Sequence, residues 1–113
     1  MHEFSLAINI VEIAENEAKK ANAGTITSVE VESGTLSGVV VEALKTALES
    51  ATRGTMLDKA QISINVITGR AKCLQCFHEF ETDDVFSPCP ACGTFNPEIT
   101  TGKELRVKSI EVE

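Results

Sequence analysis

The stretch CLQCFHEFETDDVFSPCPAC, residues 73–92, contains every cysteine of the 113-residue chain. The cysteines form two pairs, Cys73 with Cys76 and Cys89 with Cys92, and two residues separate the partners of each pair. This spacing lets both thiolates of a pair reach one ion from a tight turn, and two such turns supply the four sulfurs of a tetrahedral site. The stretch therefore predicts a structural Zn²⁺ site that is closed to substrate.

Other chemistries share this spacing: two disulfides, a redox CxxC pair, an iron-sulfur site or a rubredoxin-like iron. A reducing compartment favours a metal over disulfides, and zinc is the usual occupant of such turns. In the second turn Pro90 fixes φ and Gly93 tolerates positive φ, so backbone N–H groups can face the sulfurs. Metal binding would contribute on the order of 10–16 kcal/mol to folding this block. We expect the block to be unstructured without metal.

His78 lies two residues beyond Cys76 and is the one further candidate ligand in the block. Four cysteines already complete a tetrahedral shell. We therefore interpret His78 as a partly exposed histidine of the ribbon.

Amphipathic segments lie on both sides of the block. Residues 4–23 place apolar side chains at three- or four-residue steps and predict a helix, and a second helix follows Gly38 and ends near Gly54. Alternating apolar and polar residues predict three strands, in the segments 25–33, 60–69 and 104–113. The order is helix, strand, helix, strand, cysteine block, strand.

A strand-helix-strand unit favours a right-handed crossover between parallel strands, and the last strand can join the same sheet. The predicted fold class is α+β, with two helices packed on a small sheet of about three strands and an inserted zinc-ribbon-like four-Cys domain. The predicted domains are an α/β lobe, residues 1–69 plus 101–113, and a ribbon, residues 70–100, inserted between two strands.

Charge and hydropathy limit the classes of partner. The net charge is −7, and residues 70–100 carry two basic against five acidic side chains, so the chain repels a phosphate backbone. No stretch is apolar enough to span a bilayer, and no basic leader with a small-residue cleavage site begins the chain. We expect a soluble, cytoplasmic protein that binds neither nucleic acid nor membrane.

The first three residues, Met-His-Glu, can form a second and different metal site. The Met1 amine, the His2 backbone nitrogen and the His2 imidazole can close two fused chelate rings, and the Glu3 amide or carboxylate can complete a planar set. Planar nitrogen ligation suits Ni²⁺ or Cu²⁺ rather than Zn²⁺. The residues alone permit this chelate but favour the simpler interpretation, an exposed histidine followed by a carboxylate at a helix N-terminus.

Three features together resemble the HypA family of hydrogenase-maturation nickel chaperones: MHEFSL at residues 1–6, GTLSGVVVEAL at residues 34–44, and the two CxxC pairs with twelve residues between them. The resemblance covers essentially the whole chain. It implies transient nickel binding at His2 with help from Glu3 and the Met1 amine, and structural zinc at the four cysteines Cys73, Cys76, Cys89 and Cys92.

The resemblance also implies partners. They are a HypB-type GTPase and the precursor of a nickel-iron hydrogenase large subunit, with urease maturation proteins as further candidates. Some relatives are thought to offer an acidic nickel ligand near the start of the second helix, where this chain has Val39, Val40 and Val41. We therefore expect a planar terminal site without a ligand from that segment.

The sequence thus predicts a nickel metallochaperone that is not an enzyme and is a monomer or a weak homodimer. The alternative is a zinc-stabilised protein-interaction module in which His2 is inert. Hydrolytic catalysis is the weakest candidate, because four thiolates leave no open metal position.

Overall fold

The computed structural model describes residues 2–113, and this part of the chain forms two helices and six strands. The helices are α1 (His2–Lys20) and α2 (Val41–Ala51). The strands are β1 (Ile26–Gly34), β2 (Gln61–Ile67), β3 (Arg70–Cys73), β4 (Glu79–Glu81), β5 (Pro97–Thr101) and β6 (Leu105–Val112). The predicted α+β class is confirmed. Neither helix has the length and hydrophobicity that crossing a lipid bilayer requires.

Helix α1 ends three residues before the predicted limit of residue 23. Asn22 adopts a left-handed φ of 56°. The N–H of Asn22 donates to the Lys19 carbonyl (3.0 Å) and the N–H of Ala23 to the Ala18 carbonyl (2.9 Å), which are the two bonds of a Schellman motif. The apolar spacing did not predict this end, because asparagine fills a position that glycine takes more often.

The first sheet has the strand order β2-β1-β6. The Thr35 N–H, just after β1, donates to the carbonyl of Ile67, the last residue of β2 (2.9 Å). The carboxyl ends of these strands therefore meet, as the predicted parallel crossover requires. The Glu113 N–H, just after β6, donates to the Thr25 carbonyl, just before β1 (2.9 Å). Strand β6 therefore runs antiparallel to β1.

A second sheet lies within the cysteine block and has the order β4-β3-β5, with β3 antiparallel to both neighbours. Ala71 at its centre pairs with Phe80 on one side and Ile99 on the other. A small core forms around these residues and includes the buried Cys73 and Cys89. The block is thus a three-stranded ribbon with two of its four cysteines inside the core.

The chain divides into two compact units. The first unit comprises Met1–Glu32, Val39–Asn65 and Arg106–Glu113, and the second comprises Ser33–Gly38 and Val66–Leu105. In the first unit α1 contacts α2, and the buried apolar residues of the helices and β1 form its core. The predicted lobes, residues 1–69 plus 101–113 and residues 70–100, stay a prediction.

Candidate metal centres

The structure brings the four cysteine sulfurs together, all within 4.8 Å of one another. The Sγ atoms of Cys73 and Cys92 are 3.6 Å apart, and those of Cys76 and Cys89 are 3.5 Å apart. Disulfide sulfurs lie about 2.05 Å apart, so these cysteines are free thiols in the structure. Four sulfurs about 2.3 Å from a tetrahedral Zn²⁺ lie roughly 3.8 Å from each other. The cluster therefore fits a zinc ion.

Two turns with nearly the same backbone geometry present these sulfurs. In the first turn, Cys73–Phe77, the Phe77 N–H donates to the Cys73 carbonyl (2.8 Å). In the second turn, Cys89–Gly93, the Gly93 N–H donates to the Cys89 carbonyl (2.8 Å). The last residue of each turn is left-handed, with φ of 64° at Phe77 and 75° at Gly93. The positive φ that the sequence predicts at Gly93 is therefore present, and the same conformation at Phe77 was not foreseen.

Backbone N–H groups face the first sulfur of each turn. Cys73 Sγ accepts from the N–H of Gln75 at 3.4 Å and of Cys76 at 3.5 Å. Cys89 Sγ accepts from the N–H of Ala91 at 3.4 Å. Such donors delocalise thiolate charge and hold the ligands in orientation. Both turns are thus built for anionic sulfur, which the sequence predicts for the second turn.

Without metal, the thiols of the two exposed cysteines, Cys76 and Cys92, differ in pKa. The Thr94 hydroxyl, 3.2 Å from Cys92 Sγ, and then the Thr94 backbone lower the pKa of Cys92 to about 6, against the effect of burial. The His78 backbone lowers the pKa of Cys76, but desolvation and the three neighbouring sulfurs together raise it to about 12. A metal binds thiolates only, so metal binding at Cys76 must release a proton at neutral pH.

His78 contributes its backbone to the centre rather than its ring. Its carbonyl accepts a hydrogen bond from the Cys73 N–H (2.9 Å), and its ring stacks on Phe80 with centroids 6.2 Å apart. Within residues 2–113 the group of metal-ligating side chains consists of the four cysteines. The interpretation of His78 as an exposed ribbon histidine agrees with this arrangement.

Two of the three predicted nickel ligands, His2 and Glu3, lie at the beginning of α1. His2 is exposed and Glu3 is half-buried. The Met1 amine, the third candidate, lies outside the described residues. Glu3 Oε2 accepts a hydrogen bond from the Val40 N–H (3.4 Å). Val40 is the N-cap of α2 and makes no side-chain cap of its own, so the Glu3 carboxylate supplies one from another helix. No local sequence signal pointed to this contact, because it joins residues 37 positions apart.

The sequence is similar to those of known proteins along its whole length. A family profile described as "Hydrogenase/urease nickel incorporation, metallochaperone, hypA" matches residues 1–112. The hydrogenase maturation factors HypA of Parabacteroides distasonis and Geobacter metallireducens are 44% and 42% identical over 113 residues. The alignments cover all of this chain and 98% and 100% of those proteins.

The fold is similar to that of solved structures. The solution structure of the Ni metallochaperone HypA from Helicobacter pylori matches with a TM-score of 0.69 and 28% identity, over 97% of this chain and 96% of that one. A second solution structure of a HypA protein matches with a TM-score of 0.68 and 27% identity, over 100% and 97% of the two chains. This chain therefore belongs to the HypA family of hydrogenase-maturation nickel metallochaperones, whose members are maturation factors rather than enzymes.

Proposed function

We propose that this chain binds Ni²⁺ at its N-terminus and delivers it to the precursor of a nickel-iron hydrogenase large subunit. The proposed ligands are the Met1 amine, His2 and Glu3. The observation that carries the proposal is the position of His2 and Glu3 in the first turn of α1, with the imidazole exposed to solvent. A cargo ion must enter and leave, and an exposed helix start allows both.

The backbone at this position supports planar nitrogen ligation. The first four N–H groups of a helix have no carbonyl partner within the helix. Ionising the His2 amide to bind a metal therefore breaks no hydrogen bond of α1. The positive end of the helix dipole also favours the negative charge of an ionised amide.

Glu3 connects the proposed nickel site to α2. The Met1 amine, the His2 amide and the His2 imidazole occupy three corners of the plane, and the fourth corner lies opposite the His2 amide, beyond the reach of the adjacent Glu3 amide. We propose that the Glu3 carboxylate, which otherwise accepts a hydrogen bond from the Val40 N–H, takes this fourth position. Nickel binding would then remove the cap of α2.

We propose that the ion at the four cysteines Cys73, Cys76, Cys89 and Cys92 is zinc and that its role is structural. It would supply tetrahedral cross-linking of the two turns and no chemistry on the cargo. In this assignment residues 1–69 plus 101–113 are the nickel lobe and residues 70–100 the zinc lobe. The two sites then select different metals, since planar nitrogen suits nickel and tetrahedral sulfur suits zinc.

The proposed setting follows from family membership. We propose a HypB-type GTPase as the partner that assists nickel loading, with urease maturation proteins as further partners. The protein acts in the cytoplasm, where a hydrogenase precursor is assembled, and it acts as a monomer or a weak homodimer.

The test is a Ni²⁺ titration of four proteins by calorimetry: wild type, His2→Ala, a form with one residue added before Met1, and His78→Ala. The added residue moves the amine off its chelate ring and leaves every side chain in place. We expect both N-terminal changes to weaken Ni²⁺ binding more than about tenfold, or ~1.4 kcal/mol. The matched control His78→Ala removes the chain's other histidine and should bind as wild type does.

Competition between protons and Ni²⁺ for the same ligands provides a second test of the site. Imidazole and amine groups bind metal only when unprotonated, and reference groups of these kinds titrate between about pH 6 and 8. Ni²⁺ affinity should therefore fall steeply as the pH is lowered from ~8 to ~6. Flat affinity over this range, together with unchanged affinity in both N-terminal variants, would favour a zinc-stabilised interaction module instead.

A further inference from the structure

The two cysteine turns share a backbone but differ in the residue that ends them. Gly93 ends the second turn at φ 75°, where glycine has no steric penalty, and Phe77 ends the first turn at φ 64°. A bulky residue in this region carries backbone strain. Strain of this kind persists where the surrounding structure or a function requires the side chain.

Local packing does not account for Phe77. Its side chain is 64% exposed, and it lies outside the core that Ala71, Cys73, Phe80, Cys89 and Ile99 form. The Lys72 ammonium lies 5.5 Å from its ring centroid, a contact that holds the ring on the surface rather than burying it. The turn therefore presents an aromatic ring to solvent at a cost that glycine would avoid.

Two other apolar residues are exposed beside the same turns. Leu74, directly after Cys73, is 45% exposed, and Phe95, next to Thr94 at the second turn, is 74% exposed. The Leu74 N–H donates to the Asn96 carbonyl (3.0 Å), which brings the segment of Phe95 alongside the first turn. We call Leu74, Phe77 and Phe95 the turn patch. Exposed aromatic side chains of this kind can anchor a protein partner.

The second unit, which carries the turn patch, is acidic as a whole. The second unit carries six carboxylates and three cationic side chains, a net charge of −3. Four thiolates around a divalent ion add about −2. This field repels nucleic acid despite the exposed aromatic rings. It also repels a second copy of the same unit, so the patch is poorly suited to self-association.

We propose that the turn patch is the docking site for the client protein, and that the client surface is an apolar cleft with lysine or arginine side chains at its rim. This inference deepens the proposed function and rests on it. The proposed nickel ligands lie in the first unit, so the second unit is free to hold the client while the ion is transferred. Aromatic anchors supply the affinity, and the negative charge of the second unit supplies steering and selectivity.

The probe is the purified precursor of a nickel-iron hydrogenase large subunit, and its affinity is measured for full-length, zinc-loaded proteins. The test variant is Phe77→Asn with Phe95→Ser, because asparagine tolerates positive φ and keeps the first turn intact. The matched control is Phe86→Ser, which removes a 78% exposed phenylalanine of the same unit from outside both turns. Zinc content and Ni²⁺ affinity are measured on every variant.

We expect the double variant to bind the precursor more than about thirtyfold more weakly, with full zinc content and wild-type Ni²⁺ affinity. Phe86→Ser should stay within about twofold of wild type. Wild-type affinity should also fall as NaCl is raised from ~50 to ~500 mM, because salt screens the charge attraction.

Several results would overturn the docking site. The first is a zinc-loaded double variant that binds the precursor with wild-type affinity, and the second is an equal loss of precursor affinity in Phe86→Ser. The third is a wild-type protein that does not bind the precursor. The fourth is a wild-type dimer that the double variant converts to a monomer. Failure of the proposed nickel site is a separate result. It appears as absent Ni²⁺ binding in wild type, and patch-dependent precursor binding in that protein would still support the docking site.

Discussion

The two units of this chain are stabilised in different ways. The first unit has a core of aliphatic side chains from both helices and β1, among them the fully buried Leu44, Leu48 and Val31. The core of the second unit has four buried members, and two of them, Cys73 and Cys89, belong to the metal cluster. The first unit thus relies on apolar burial, and the second has too few apolar residues to do so.

The shortage of apolar residues in the second unit explains the need for the cysteine cluster. Small domains that cannot bury enough apolar surface need a metal or cross-links. A site whose binding energy is also folding energy holds its ion permanently, which suits structural zinc. The N-terminal residues have the opposite character, since an exposed helix start gains little from holding an ion. We therefore expect perturbations of the two units to give separate effects.

Removal of a buried ligand should have the largest effect. Cys89→Ser leaves three thiolates, and we expect loss of zinc and unfolding of the second unit, because metal binding supplies on the order of 10–16 kcal/mol. The first unit should keep its helices, and N-terminal nickel binding should survive. Metal analysis together with NMR spectra of both units measures this outcome.

Chelation of zinc from wild type is the companion experiment and should produce the same spectra. A second unit that stays folded without metal would show that its four-member core suffices. Loss of nickel binding in Cys89→Ser would indicate that the two sites are merged.

A cavity in the first core should have the next largest effect. Leu44 is fully buried in α2, and Leu44→Ala should destabilise the first unit by about 2–5 kcal/mol. Zinc content should not change, because the metal cluster belongs to the other unit. Urea unfolding followed by helical circular dichroism measures the loss. Ile13→Ala, at a 49% exposed position of α1, is the matched control and should stay within about 0.5 kcal/mol of wild type.

What the sequence predicted correctly is local. The apolar spacing of the helices and the CxxC pairs involve neighbours along the chain, so α1, α2 and the four-sulfur cluster were predictable. Gly93 was recognised for the same reason, because a turn after CxxC requires positive φ near its end.

What the sequence could not supply is non-local. Strands β3, β4 and β5 have four, three and five residues, too short to show alternation, and they form through pairings such as Ala71 with Ile99. Gly34 and Gly102 approach so closely that a Cβ on Gly34 would overlap the Gly102 carbonyl. The cap that Glu3 supplies to Val40 is likewise a contact between distant residues. Such contacts are known only when the fold is known.

The two cysteine turns differ in their last residue, Gly93 or Phe77, and changes at these positions should have a smaller effect on zinc affinity. A Cβ at Gly93 meets nothing within 4 Å, so Gly93→Ala adds only the strain of φ 75°. We expect a loss of about 1 kcal/mol, or about fivefold in zinc affinity. At Phe77 we compare two substitutions, Phe77→Gly and Phe77→Ala. Both remove the ring and its contact with Lys72.

Phe77→Gly should bind zinc about fivefold more tightly than Phe77→Ala, because only alanine keeps the backbone strain. Competition with a colorimetric chelator measures all three variants. Equal affinities for the two Phe77 variants would mean that the first turn relaxes when the ring is removed.

The smallest effect is expected on the polar face of the first sheet. The Glu30 carboxylate accepts hydrogen bonds from the Asn65 amide (2.6 Å) and the Ser109 hydroxyl (3.1 Å). These bonds, in that order, and then the charge of Lys108 lower the pKa of Glu30 from its usual 4.5. A lowered pKa in the folded state adds stability above the unfolded-state pKa, and that stability is lost as the pH falls through the folded-state value.

Glu30→Gln keeps an oxygen acceptor and removes the charge, so wild type should exceed this variant in urea midpoint at pH 6. The difference should shrink toward zero as the pH is lowered to ~3, since the wild-type carboxyl is then protonated too. The matched control Glu12→Gln, at an exposed position of α1, should show a smaller difference at pH 6. A midpoint difference that is the same at both pH values would assign the effect to hydrogen-bond geometry rather than charge. The charge of Glu30 would then contribute nothing to the stability of the first unit.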